Sequence, residues 1–130
     1  MPDLLIGALL VSMGAAIGTP ARFFVTGVVS RRVGETFPWG TLVVNVTGCA
    51  AMGVAAAFAH RHGVSDHSRL WLLGAVGFLG SYTTVSSFAL QTLALVRDGE
   101  RGATLRYIAG SCVLCLAAVA GGFVAGGGVR

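Results

Sequence analysis

Apolar residues fill four long runs of this chain, and short polar segments separate them. The first run extends from about Leu4 to Val29 and the second from about Trp39 to Ala59. The third covers about Leu70 to Val96 and the fourth about Thr104 to Val124. Each has the roughly 20 residues that an α-helix needs to cross a bilayer. The connections are polar: Arg31 to Glu35, His60 to His67, and Arg97 to Gly102. Pro38 suits the first turn of the second helix, while Trp39 and Trp71 suit a membrane–water interface. The pattern predicts an all-α membrane protein of four transmembrane helices, with membrane lipid against its outer faces.

The third run departs from a plain span. Its centre reads Gly77-Phe-Leu-Gly-Ser-Tyr-Thr-Thr-Val-Ser-Ser-Phe88, with two glycines, a tyrosine and a cluster of hydroxyls. A helix surrounded only by lipid gains nothing from that composition. A break at membrane depth leaves amides and carbonyls that lipid cannot satisfy, so it requires burial in protein or access to water or an ion. The sequence therefore predicts a break in the third helix within Gly77–Phe88, beside a polar site in mid-membrane.

Composition agrees with that picture. The chain is 55% hydrophobic and 11% charged, with no lysine, and its mean hydropathy is +0.80. A formal net charge of +4 does not point to nucleic acid, because the arginines are scattered between apolar runs without a basic stripe. Four spans leave no room in 130 residues for a soluble catalytic domain, and an enzyme is not expected. The first run lacks a preceding basic segment and reads as a span, not a cleavable leader. Five arginines on one side (Arg31, Arg32, Arg97, Arg101, Arg106) face three on the other (Arg61, Arg69, Arg130). That difference is small for the positive-inside rule, which leaves a weak single orientation and insertion both ways as alternatives.

Polar residues inside the spans carry the candidate chemistry. Arg22 either snorkels from a tilted helix or serves a water-filled vestibule. Asn45, with Thr41 one turn before it and Gly48 about one turn after, offers donors and an acceptor near mid-span. It either lines a site or glues helices together. Tyr107, Ser111 and Cys115 form one stripe of the fourth span. The alternative for the first two is an interfacial tyrosine and a serine bonded to its own helix. Phe78, Tyr82, Val85 and Phe88 share a face only if the third span stays helical. Cys112-x-x-Cys115 has redox-like spacing but lies in an apolar helix, so these cysteines and Cys49 read as small packing residues. His60, His62 and His67 read as solvated. The spacings Gly14-x-x-x-Gly18 and Gly122-x-x-x-Gly126 permit close helix approach without identifying a particular interface. Asp3, Glu35, Asp66, Asp98 and Glu100 all lie near ends or connections. Basic and neutral donors are what remain at depth, and they favour an anion.

Taken in order, Gly18-Thr-Pro-Ala-Arg22-Phe23, Gly40-Thr-Leu-Val-Val-Asn45-Val-Thr-Gly48, Gly77 through Phe88, and Tyr107 with Ser111 resemble the Fluc/CrcB fluoride channels. The resemblance covers nearly the whole chain. It implies one four-helix channel domain over residues 1–130, in the cell (inner or plasma) membrane, exporting fluoride from the cytoplasm by passive flux. It also implies an antiparallel, dual-topology homodimer with two pores, and a structural Na+ at the dimer interface on the backbone carbonyls of Gly80 and Thr83. The ion path it implies runs by Arg22 at a vestibule, then Thr41, Asn45, Phe88, Tyr107 and Ser111. Tyr82, Val85, Ser86 and Ser87 join it from the third helix. The resemblance also implies that phenylalanine ring edges, the positive side of the aromatic quadrupole, face the ion. Phe88 matches one of the two family phenylalanines, whereas Val85 stands at the other. That departure keeps open a heterodimer with a paralogue, in which this chain is an accessory subunit inactive alone. A small multidrug-type transporter is a further alternative, opposed by the lack of a membrane-embedded acid.

Overall fold

The computed structural model describes residues 2–129, with the side chains of residues 3–129; Arg130, used above in weighing orientation, lies outside them. Among the described residues every regular element is a helix. Helix α1 spans Pro2–Val33 and α2 spans Trp39–His62. The third crossing is composite: α3 (Arg69–Trp71) runs into a π-helical segment (Leu72–Leu79) and then α4 (Gly80–Tyr82). After a break, α5 (Val85–Arg97) completes it, and α6 (Arg101–Ala125) is the fourth crossing. Four helical stretches are thus long and apolar enough to span a membrane, the third being Arg69–Arg97 taken together.

Helix ends follow local chemistry. Helix α1 continues four residues beyond Val29, where Arg31 and Arg32 place positive charge at the negative end of the helix dipole. Pro38 is the N-cap of α2, one position outside the helix. Gly63 closes α2 at φ 62°, a left-handed conformation that a Cβ would disfavour, and its N–H donates to the Ala59 carbonyl. Ser68 caps α3 by accepting from Trp71 N–H at 3.2 Å.

Packing relies on missing side chains. A Cβ at Gly14 would overlap the backbone of Leu73, Gly77 and Phe78, and one at Gly18 would overlap Ser81 Oγ and the Phe78 carbonyl. Gly77 returns the contact, lying against Val11 and Gly14. The first small-residue motif therefore seats α1 against the π-helical segment. The second seats α6 against α2: Gly122 meets Ala50, Gly126 meets Ala57, and Gly53 meets Val119. Close backbone approach of this kind supplies van der Waals contact where lipid provides no hydrophobic drive. Gly122→Val is expected to destabilise the fold by about 1–3 kcal/mol, the usual range for overpacking, because Ala50 backbone cannot yield. Thermal unfolding in detergent measures it.

Helices α2 and α6 run parallel and in register. Thr41 lies beside the Tyr107 hydroxyl, Cys49 beside Cys115, and Gly53 beside Val119, each pair with the same offset. Asn45 and Ser111 are the remaining rung of this ladder and open onto one cleft. Helix α2 is the central crossing: its apolar window is 28% buried, against 11% in the first and last crossings. Large apolar side chains such as Leu9, Phe23, Leu90, Leu105 and Leu116 stand exposed around the outside, as lipid-facing residues would. The chain is a multi-pass membrane protein.

Candidate functional site

The break of the third crossing lies at Thr83 and Thr84, inside the expected Gly77–Phe88 stretch and at the threonine end of the Gly80–Thr83 segment that the resemblance implies. Gly80 keeps right-handed helical angles (φ −62°, ψ −31°), whereas Thr83 (φ −77°, ψ 159°) and Thr84 (φ −152°, ψ 120°) are extended. The threonines hold this geometry through their own bonds. Thr83 N–H and Oγ1 both donate to the Leu79 carbonyl at 3.0 Å, closing the helix before the break. Thr84 is the N-cap of α5, accepting from Ser87 N–H at 3.2 Å. Its hydroxyl also donates to Ser87 Oγ at 3.1 Å and lies 3.2 Å from Ser86 Oγ.

Asn45 pins the break from α2. Its Nδ2 donates to the Thr84 carbonyl at 2.9 Å, and its Oδ1 accepts from Thr84 N–H at 2.8 Å. Both readings of Asn45 therefore meet in one residue: it binds α2 to the third crossing, and its side chain lines the cleft. One of its two amide N–H bonds is used by Thr84, which leaves the second for another acceptor. Gly48, one turn on, has no Cβ because one would overlap Thr83.

The cleft beside the break encloses about 340 Å³ and is lined by Asn45, Thr83, Thr84, Val85, Phe88 and Ser111, with three cysteines. Among the described residues no charged side chain lines it. Ser111 is 7% exposed, and its Oγ has no hydrogen-bond partner among the described residues. Other hydroxyls in these helices bond backward to the carbonyl four residues before: Ser12 to Ala8, Thr47 to Val43, Thr92 to Phe88, Thr104 to Glu100. Ser111 makes no such bond to Tyr107, so the alternative of a serine tied to its own helix does not hold. Val85 is 79% exposed at the cleft, so a larger side chain there would extend into open space.

Tyr107 stands between this cleft and a second cavity. It is fully buried, its ring 5.1 Å from Phe88 and edge-on to Phe37 at 5.5 Å. Its hydroxyl donates to Gln91 Oε1 at 2.9 Å, so it is no mere interfacial tyrosine. Gln91 and Thr41 line the second cavity, about 260 Å³, whose wall also carries Glu35 and Asp98. Gln91 escaped the sequence reading although it lies three residues after Phe88, on the same helix face; that spacing was the available signal.

Besides Tyr107, four expected ion-path residues line neither cavity: Ser86, Ser87, Tyr82 and Arg22. The two serines instead meet the Thr84 hydroxyl at the start of α5. Tyr82 is not part of the cleft lining. It stacks on Phe78 at 6.0 Å and 8°, and shares a 3.0 Å hydrogen bond with Thr47 Oγ1, so it belongs to the break and its contact with α2. The face proposed for Phe78, Tyr82, Val85 and Phe88 is split by the break. Arg22 does not line the cleft either; its guanidinium lies 5.8 Å from the Phe23 ring centroid. Among the described residues no group of three His, Cys, Asp or Glu side chains is placed to hold a metal.

The family model described as "CrcB-like protein, Camphor Resistance (CrcB)" matches residues 9–123. The chain belongs to the CrcB family. A CrcB relative from Rhodopseudomonas palustris (strain BisB18), named "Fluoride-specific ion channel FluC 2", is 54% identical over 126 residues, 96% of each chain. One of the same name from Bradyrhizobium diazoefficiens is 48% identical, covering 95% of this chain and 90% of the relative. "Fluoride-specific ion channel FluC" of Opitutus terrae is 44% identical over 94% of this chain and 93% of its own. The CrcB match takes in both sides of the cleft and the whole of the break.

Proposed function

We propose that this CrcB chain is a fluoride-selective channel and that the uncharged cleft between α2, α5 and α6 is part of its ion path. The observation that carries this reading is the Ser111 hydroxyl, buried without a partner across from the free N–H of Asn45. A buried hydroxyl left unpaired costs about 1–3 kcal/mol, so a donor kept in that state suits a guest that accepts hydrogen bonds. Fluoride is a small, strongly hydrated anion and needs close donors in place of water. Ser111 O–H, Asn45 N–H and the Phe88 ring edge provide them without a counter-charge that would hold the ion too tightly. The names of the relatives agree with this guest. The chemistry is passage, not catalysis. Thr41, Gln91 and Tyr107 would continue the track toward the second cavity, with Arg22 raising anion concentration at a vestibule. Protein reconstituted alone in liposomes is expected to release fluoride and retain chloride, as read with ion-selective electrodes. Equal release of both ions would refute the reading. No release of either would favour the accessory-subunit alternative, in which Val85 leaves the path incomplete without a paralogue.

The working form in this proposal is an antiparallel dimer holding a Na+ ion at its centre. The residues fit such an ion. The hydrogen bonds of the break leave the Gly80 and Thr83 carbonyls without a donor among the described residues. Oxygen ligands of that kind suit a hard cation, and carbonyls at membrane depth require some partner. Bound there, Na+ would neutralise converging carbonyl dipoles and fasten two copies. Prolonged sodium removal is expected to lower dimer stability and flux together. A dimer and a flux indifferent to sodium would reject the assignment.

A further inference from the structure

The ladder between α2 and α6 carries a rung that the fluoride reading does not use. Below Asn45 and Ser111, one helical turn further along each helix, come Cys49 and Cys115. They share the offset that seats Gly53 against Val119, and both open onto the same cleft as the unpartnered Ser111 hydroxyl. Cys112 lines that cleft as well, from an exposed position. All three cysteines are free. Packing alone explains a small apolar residue at these places but not two facing thiols on an open wall of the proposed path.

We propose that Cys49 and Cys115 form a two-thiol site for soft, thiophilic metal ions of low coordination number, and that an ion bound there closes the cleft to fluoride. This rests on the channel reading for its consequence but not for the binding itself. Soft sulfur ligands select soft ions over the hard cations that oxygen ligands prefer. The lack of any three-residue metal cluster among the described residues argues against a tetrahedral zinc site and leaves two-coordinate ions such as Hg2+ or Cu+. Binding of Hg2+ forms two Hg–S bonds and breaks two S–H bonds, and both protons pass to the buffer; nothing is oxidised or reduced. The thiolate is the ligating form. A metal ion held between α2 and α6 one turn from Asn45 would occupy part of the cleft and present positive charge to an arriving anion. The anion would be trapped or obstructed, and flux would cease.

The test uses the full chain carrying Cys112→Ala, so that the exposed thiol does not compete, and mercuric chloride as the probe. Intact-mass measurement is expected to find one mercury per chain with two thiol protons lost, and no thiol left to titrate. In liposomes the same treatment is expected to abolish fluoride efflux, with recovery after excess dithiothreitol. Adding Cys49→Ala or Cys115→Ala should leave mercury on a single thiol and flux resistant to the metal. If either variant folds poorly, protection replaces it: bound mercury should shield Cys49 and Cys115 together from N-ethylmaleimide. Two mercury atoms per chain, independent alkylation of the two thiols, or undiminished block in the single-thiol variants would overturn the proposal. A protein that passes no fluoride would refute the channel reading while the mass and protection results still decide the thiol site.

Discussion

Replacing Asn45 with aspartate is expected to cut fluoride current by about three orders of magnitude while leaving the protein folded. Two unit charges about 4 Å apart repel by roughly 4 kcal/mol at the effective dielectric near a protein surface, and each 1.4 kcal/mol is about tenfold. Aspartate keeps the Oδ acceptor for Thr84 N–H but loses the donor to the Thr84 carbonyl. The break would be held by one bond where two now act, at a cost of about 1 kcal/mol for the lost hydrogen bond. The current should recover in part as pH falls, because a protonated carboxyl regains an O–H donor and loses its charge. Recording current, not ion release, keeps diffusion of hydrogen fluoride through lipid out of the reading. Asn45→Ala removes both bonds and should release the break as well, giving a less stable protein. A folded aspartate variant with the parental current would remove Asn45 from the path.

The same residue shows how much of this molecule was legible in its sequence. The four crossings followed from hydropathy alone, because lipid imposes length and apolarity directly on the chain. Asn45 was conspicuous because an amide at mid-span must find partners. Its actual partner was not legible, since Thr84 lies 39 residues away and only the packing of α2 brings them together. The break was expected across Gly80–Thr83, and only its threonine end is extended: glycine marks local freedom, whereas here the extended residues, Thr83 and Thr84, are threonines held by side-chain bonds. Gly77 and Gly14 instead permit close packing. The π-helical segment left no trace in the pattern of residues. It depends on how Leu72–Leu79 meets α1, and no local preference announces it. Gln91 was missed because a lone glutamine in a mostly apolar helix does not show which way it faces. Its bond to Tyr107 turns it inward.

Ser111→Ala separates function from stability in the opposite direction. Most losses of a buried hydrogen-bonding group destabilise a protein. Here the hydroxyl has no partner among the described residues, so its removal lifts a penalty of about 1–3 kcal/mol. The alanine variant is expected to unfold at a higher temperature than the parent, because alanine also favours helix over serine at this position. Its fluoride flux should fall about tenfold, the equivalent of losing one hydrogen bond of roughly 1.4 kcal/mol to the ion. Ser111→Thr, which keeps the hydroxyl, should retain more flux than alanine even if its extra methyl crowds the cleft. Parallel unfolding and efflux measurements on the three proteins decide the matter. If stability and flux fall together, the hydroxyl has a structural bond and the cleft holds no waiting donor. If flux is unchanged, the ion passes elsewhere. A gain in stability with a loss of flux is the outcome that a donor kept free for a transient anion produces.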